Sequence, residues 1–385
     1  MAKGLEDTVF YIYNRLAALN EVGGEPQQFG LSIEAFHERN RDRQRNWPAT
    51  LLATSTHDTK RSEDVRARMV AISEMPELWR RSLQRWRIAN RRWKRTINDL
   101  QAPDGNEEYL LYQTLLGTWP VQLSGVPEEA PTAEYIGRIQ AYMGKALHEA
   151  KLNTSWIQPN EEWDAAMHDF VRGILDSSPR NKFLPSFLPV VQEIARLGAI
   201  NSLAQTLLKL TSPGVPDIYQ GNEIWDFSLV DPDNRRPVDY KRRREMLESL
   251  PASTPDELMQ NWPDGRNKMF LTQRVLQFRR EHVDLFQRGE YLPLAASGTF
   301  AECCVSFARW LGNQWIVVIA PRLASRIGFP PVGERWKDTA LEFPETLSLE
   351  NTHNLFTCRE LQINDRRFGL ADAMSILPFA VYTNL

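Results

Sequence analysis

The sequence predicts a mixed α and β fold, and three observations predict it. A short apolar or β-branched run, Leu51-Leu52-Ala53-Thr54, reads as a buried strand and leads into the polar cluster Ser55-Thr56-His57-Asp58-Thr59-Lys60-Arg61. The segment Ser62-Glu63-Asp64-Val65-Arg66-Ala67-Arg68 then opens a helix. From about residue 67 to 195 the pattern is helical, with apolar stripes between long charged segments. After about residue 288 it changes to strand-like runs separated by turns. The chain therefore divides into residues 1–66, 67–195, 196–287 and 288–385.

Residues 1–66 read as short helices and loops before the His57 strand. Arg39-Asn40-Arg41-Asp42 is polar throughout and precedes Trp47-Pro48, so it reads as loop. In the helical block, Trp79, Leu83, Trp86, Asn90, Trp93 and Ile97 fall within about 80° of one another on one helix, an apolar stripe. Arg80, Arg81, Arg85, Arg87, Arg91, Arg92, Lys94 and Arg95 cover the other face. That face with its tryptophans could bind nucleic acid. The favoured reading is a packed stripe with buried indoles and a solvated basic face. Two more helices carry core-facing spacing: Tyr135, Ile139, Tyr142, Met143, Ala146, Leu147, and Trp163, Met167, Phe170, Val171, Ile174. A helix over 190–210 leads to Pro213-Gly214-Val215-Pro216-Asp217-Ile218-Tyr219, where prolines allow only a brief strand from Val215. Asp231-Pro232-Asp233-Asn234 is turn chemistry. A helix over 268–282 follows, with apolar contacts at Leu271, Val275, Phe278 and Val283. The last block has strands over 303–310 and 314–320 joined by the turn Leu311-Gly312-Asn313, and further strand-like runs at Leu341-Glu342-Phe343 and 375–382.

Composition narrows the function classes. A net charge of −3 argues against a dedicated nucleic-acid binder. No apolar stretch reaches the roughly 18 residues of a membrane span, and the N-terminus lacks the apolar core of a signal peptide. Three cysteines make no disulfide framework and point to a reducing cytoplasm. No Cys/His spacing suggests zinc.

Several long motifs, in order, carry a resemblance. Ala2-Lys3-Gly4-Leu5-Glu6-Asp7-Thr8, Leu19-Asn20-Glu21-Val22-Gly23-Gly24 and the stretch from Thr54 to Arg68 resemble maltooligosyltrehalose synthase, a family of the α-amylase clan (glycoside hydrolase family 13). The stretch from Ser212 to Glu223 is similar to the clan's last barrel strand and its loop. Ser228 to Asp239 is similar to a stretch peculiar to this synthase. The resemblance implies the last strands of a (β/α)8 TIM-type barrel, a large all-α insertion, and a small antiparallel β-sandwich domain. It also implies that the chain is the C-terminal half of such an enzyme, because the clan's nucleophile and its acid/base Glu precede the Ala2-Lys3-Gly4 motif. No Gly-x-Arg-x-Asp occurs here on an apolar run.

The activity so implied is conversion of the reducing-end α-1,4 bond of a maltooligosaccharide to an α,α-1,1 linkage, without a cofactor. His57 and Asp58 would hydrogen-bond the 2- and 3-hydroxyls of the sugar being cleaved, Asp58 as the transition-state-stabilising carboxylate. Lys60, with Arg61 beside it, and Lys3 would bind sugar toward the reducing end. For the two lysines an ion pair with Glu6, Asp7, Glu63 or Asp64 is an equal alternative. Tyr219 and Trp225 could stack on a sugar face, with barrel packing the alternative for Tyr219, and Glu223 could bind a hydroxyl. Asp231, Asp233, Asn234, Arg235 and Arg236 read more as a salt-bridged loop that shapes a cleft. The implied partners are the glucan and the missing N-terminal half, without which the chain would be inactive. Competing readings are a non-catalytic α-glucan-binding or assembly module, and half of an α-glucan hydrolase. Asp58 could also do no more than cap the following helix.

Overall fold

The computed structural model describes residues 2–122, 125–348, 350–361, 363 and 365–385, with side chains from Gly4 onward. The chain forms two units, each discontinuous in sequence. One comprises residues 1–29, 56–198 and 226–237; the other comprises 30–55, 199–225 and 238–385.

The first unit is helical: Ala2–Ile12, Glu63–Ala71, Pro76–Asn90, Gly105–Thr118, Ala133–Ala150, Glu161–Ile174 and the start of Leu184–Thr211. Ser62, Asp104, Thr132 and Asn160 begin four of these helices by accepting orphan backbone N–H groups, each such cap contributing about 1 kcal/mol. Thr132 accepts from Tyr135 N at 3.1 Å and Asn160 from Trp163 N at 3.2 Å. Asp104 and Glu107 form a reciprocal capping box. The residues expected at the core faces of Ala133–Ala150 and Glu161–Ile174 are all buried.

The tryptophan stripe departs from its expected course. Its helix stops at Asn90, whose amide donates to Tyr112 OH at 2.8 Å. A short 3-10 turn and a hairpin, Arg95–Ile97 with Leu100–Ala102, replace the continuation. Asn98 and Asp99 take the positive φ that a two-residue hairpin turn requires. Of the three indoles only Trp86 is fully buried; Trp79 and Trp93 are half-buried. Trp93 lies against Gly173, where an added Cβ would fall 2.4 Å from the ring, so a glycine permits this packing. The basic face is exposed except at Lys94, which pairs with buried Glu108 at 2.7 Å.

In the second unit, Arg39 to Asp42 is not loop. It lies inside the helix Ile33–Asn46, capped by Ser32. The buried positions of that helix are His37 and Asn40, whose side chains meet Tyr291 OH at 2.7 and 3.2 Å. The buried strand expected from Leu51 pairs over only Leu51–Leu52, parallel to Val215–Pro216, and is not buried: Leu51 is exposed and Leu52 half-buried. The helix Arg266–Glu281 buries Leu271, Val275 and Phe278, but Val283 begins a separate short helix and is exposed.

Residues 290–385 of this unit hold two antiparallel sheets. Five strands lie in the order His353–Asn354, Ala380–Thr383, Gln314–Pro321, Cys304–Leu311, Glu290–Leu294. Three more lie in the order Arg367–Gly369, Ala340–Glu342, Ala296–Ser297. Trp315, Val317 and Tyr382 of the first sheet, Leu341 and Phe368 of the second, and Phe343 just beyond its strand share one apolar core. The Leu311↔Gln314 pair is closed by Gly312-Asn313, with Gly312 at φ 60°. Pro293 sits in the edge strand, where a missing N–H is tolerated.

Among the described residues, no helix is long and apolar enough to cross a membrane. No group of three or more metal-ligating side chains occurs among them either.

Candidate functional site

In the first unit, the segment from Thr56 to Ser62 is built from its own hydroxyls and from two flanking loops. His57 and Asp58 form a tight turn, His57 exposed and Asp58 half-buried. Asp58 N donates to Thr56 Oγ1 at 3.2 Å, and Thr59 Oγ1 donates to Thr56 O at 2.9 Å. The turn therefore closes on itself and displays an imidazole beside a carboxylate. Such a pair can donate to and accept from vicinal hydroxyls.

The helix after the turn is capped by Ser62, whose hydroxyl accepts from Val65 N at 3.5 Å, and not by Asp58. Ser62 also donates through its hydroxyl to Asp226 O and through its N–H to Ser228 O, the latter at 3.0 Å.

Lys60 and Arg61 point away from solvent. The ammonium of Lys60, 5% exposed, pairs with Asp7 at 2.6 Å, the ion-pair alternative of the sequence reading. Arg61 is 1% exposed and so presents no surface to a sugar in this arrangement. Its guanidinium donates to Tyr142 OH at 2.7 Å. The side chain of Lys3 lies outside the described residues. Glu21 accepts from Lys60 N at 2.8 Å and from Arg61 N at 3.3 Å, and lies 3.8 Å from Arg66.

Burial lowers the pKa of the Arg66 guanidinium, against the opposing pull of Glu21 and Glu63. It lowers that of Arg68 to about 10, with Asp64 opposing. Burial also raises the Tyr11 hydroxyl well above its ordinary value, Tyr142 adding to the effect and Arg61 opposing it.

The segment 226–237 is a salt-bridged loop. Asp233 accepts from Arg138 through both oxygens, at 2.8 and 3.0 Å, and from Leu229 N at 2.7 Å. Arg235 pairs with Asp231 at 2.9 Å, and Arg236 with Asp233 at 3.2 Å. Asn234 Nδ2 donates to the carbonyl of His57 at 2.9 Å. Glu21 and Asn234 were legible in the sequence only as members of longer motifs. Their contacts to the His57 segment are tertiary.

Tyr219 and Glu223 belong to the second unit, on the segment that follows Val215–Pro216. Tyr219 is half-buried, and its carbonyl accepts from Asn222 N at 3.0 Å. Glu223 accepts from Arg243 Nε at 2.9 Å, and Arg243 also donates to Gly221 O at 2.8 Å. Gly221 sits at φ 94°, which turns the chain between the two side chains. The buried amide of Asn222 finds no partner for either polar atom among the described residues. Trp225 is held by its indole N–H on Trp262 O at 2.7 Å. The structure thus gathers His57, Asp58, Lys60 and Arg61 in one unit, and Tyr219 with Glu223 in the other.

No protein-family model matches the chain. Among curated proteins, the putative maltooligosyl trehalose synthase of Mycobacterium tuberculosis is 38% identical, over 89% of this chain and 40% of that protein. Among solved structures, maltooligosyltrehalose synthase from Arthrobacter ramosus superposes with a TM-score of 0.79 at 33% identity, covering 99% of this chain and 45% of its own. A hypothetical maltooligosyl trehalose synthase from Sulfolobus tokodaii gives 0.74 at 32% identity, covering 98% and 44%. The chain spans less than half the length of these relatives.

Proposed function

From its kinship with the maltooligosyltrehalose synthases along nearly its whole length, we propose that this chain is the C-terminal part of an intramolecular α-glucan transglucosylase. The observation that carries the reading is that match, at 33% identity and a TM-score of 0.79 across 99% of the chain. The complete enzyme cleaves the reducing-end α-1,4 bond of a maltooligosaccharide, holds the glucose, and rejoins it as an α,α-1,1 linkage.

In this reading His57 and Asp58 receive the sugar. The exposed imidazole binds one hydroxyl, and the half-buried carboxylate accepts from a neighbouring one. As positive charge develops at the anomeric carbon, a fixed carboxylate nearby stabilises the transition state without having to reorganise. Tyr219 offers a ring to a sugar face. Lys60 and Arg61 spend their charge inside the fold on Asp7 and Tyr142, so their part is to hold the turn's frame. Glu223, tied to Arg243, shapes the segment after Tyr219. The parallel pair Leu51–Leu52 and Val215–Pro216 fits two neighbouring strands of a barrel whose other strands belong to the part the chain does not span.

A retaining glycosyl transfer needs a nucleophilic carboxylate and an acid/base, and in the family both precede the motifs found here. The purified chain, incubated alone with maltopentaose, is therefore expected to leave the number of reducing ends unchanged. A fall in reducing ends with the chain alone would overturn the assignment of the missing catalytic groups.

A further inference from the structure

Two side chains grip the two ends of the segment that carries His57 and Asp58, and neither belongs to it. At the upstream end, Asn234 Nδ2 donates to His57 O at 2.9 Å. At the downstream end, the Glu21 carboxylate uses one oxygen for Lys60 N at 2.8 Å and the other for Arg61 N at 3.3 Å. Among the described residues the segment lies in no helix or strand, and its one strand-like pairing is the single bridge of Arg61 to Leu229 at the downstream end.

Both grips are themselves anchored. Glu21 is 12% exposed, also accepts from Val22 N at 2.9 Å, and faces the Arg66 guanidinium at 3.8 Å. Asn234 follows Asp233, which Arg138 of the helix Ala133–Ala150 chelates through both carboxylate oxygens. A charge-assisted bond to backbone N–H is stronger and shorter than a neutral one, so the downstream grip fixes position as well as contributing stability.

We infer that Glu21 and Asn234 are positioning residues for the His57–Asp58 pair: they set where the imidazole and carboxylate stand without touching substrate. The inference rests on the reading that this pair meets the sugar. Its consequence is that the helix Ala133–Ala150 bears on the turn through Arg138, Asp233 and Asn234 in series.

Two near-isosteric variants test it. Glu21→Gln turns one acceptor oxygen into an NH2 group that cannot receive a backbone N–H. Asn234→Asp removes the donor and sets an anion against the His57 carbonyl. Hydrogen exchange on the chain itself needs no activity. In Glu21→Gln at least one of the amides of Lys60 and Arg61, which use different carboxylate oxygens, is expected to exchange about tenfold faster or more, while amides of the Ala133–Ala150 helix keep their protection.

Each variant, combined with the part of the enzyme this chain lacks, is expected to lose about 10²-fold in kcat with KM nearly unchanged, since small misplacements of reacting groups cost that much. Unchanged exchange at Lys60 and Arg61 in a folded Glu21→Gln chain would overturn the downstream grip. Full kcat in Asn234→Asp would overturn the upstream one. A combination that is inactive even without substitutions would count against the functional reading, while the exchange result would still decide whether Glu21 fixes the turn.

Discussion

Replacing Trp86 with alanine is expected to destabilise the first unit by about 3–5 kcal/mol, the range for emptying a large aromatic site in a core. Trp86 is fully buried in a set of rings: Trp79 at 5.8 Å, Tyr112 at 5.4 Å, Phe183 at 5.6 Å and Phe187 at 5.3 Å between centroids. Four of these contacts are edge-to-face, an arrangement that adds about 0.5–1.5 kcal/mol per pair beyond the area buried. Rings fixed by one another cannot collapse into the gap, so most of the cavity cost remains. The indole N–H has no hydrogen-bond acceptor among the described residues. Trp86→Phe therefore relieves an unpaired donor while keeping much of the ring volume, and should cost much less than the alanine variant. The check is the urea midpoint of each variant, read at unchanged slope. Equal losses for Phe and Ala, or a loss below about 1 kcal/mol for Ala, would contradict this packing account.

Asp58→Asn is expected to lower turnover of the complete enzyme by about 10²–10³-fold, the loss of one well-placed transition-state interaction of about 2.7–4 kcal/mol. The substitution preserves shape and removes the negative charge. Because an interaction that strengthens only as charge develops is lost, kcat should fall much more than KM rises. Stability should change far less, since the turn is closed by Thr56 and Thr59 and held by Glu21 and Asn234. Near-normal turnover in Asp58→Asn would remove Asp58 from the reaction.

What the sequence disclosed depended on how each element is buried. The helices Ala133–Ala150 and Glu161–Ile174 pack through large apolar side chains at helical spacing, so their core faces could be read directly. The helix Ile33–Asn46 packs through His37 and Asn40, and a hydrophobic pattern cannot reveal a face made of polar residues. The hairpin after Asn90 was hidden for the opposite reason. Trp93 and Ile97 continue the helical phase of the stripe, although Asn98-Asp99 turns the chain. The strand Glu290–Leu294 lies outside the strand-like runs read from the sequence, and its Pro293 is accommodated because the strand is at a sheet edge.

The candidate site divides the same way. The helix start at Ser62 is local, and the sequence announced it, whereas the turn at His57 and Asp58 was read only as a polar cluster after a strand. The burial of Lys60 and Arg61 is tertiary. The pairing of Lys60 with Asp7 was one of two sequence readings, but nothing local shows that both cations are buried or that Arg61 meets Tyr142, 81 residues away in sequence.

The central claim is that this chain supplies the His57–Asp58 part of a transglucosylase and that the remainder of the relatives' length supplies the nucleophile and the acid/base. The most direct measurement mixes the purified chain with that remainder in the presence of maltopentaose, following reducing ends together with the anomeric proton signals of the product. The account predicts that reducing ends disappear only in the mixture and that an α,α-1,1-linked product replaces them. A mixture that increases reducing ends would mark a hydrolase, and a fall in reducing ends with either part alone would contradict the division of catalytic groups between them.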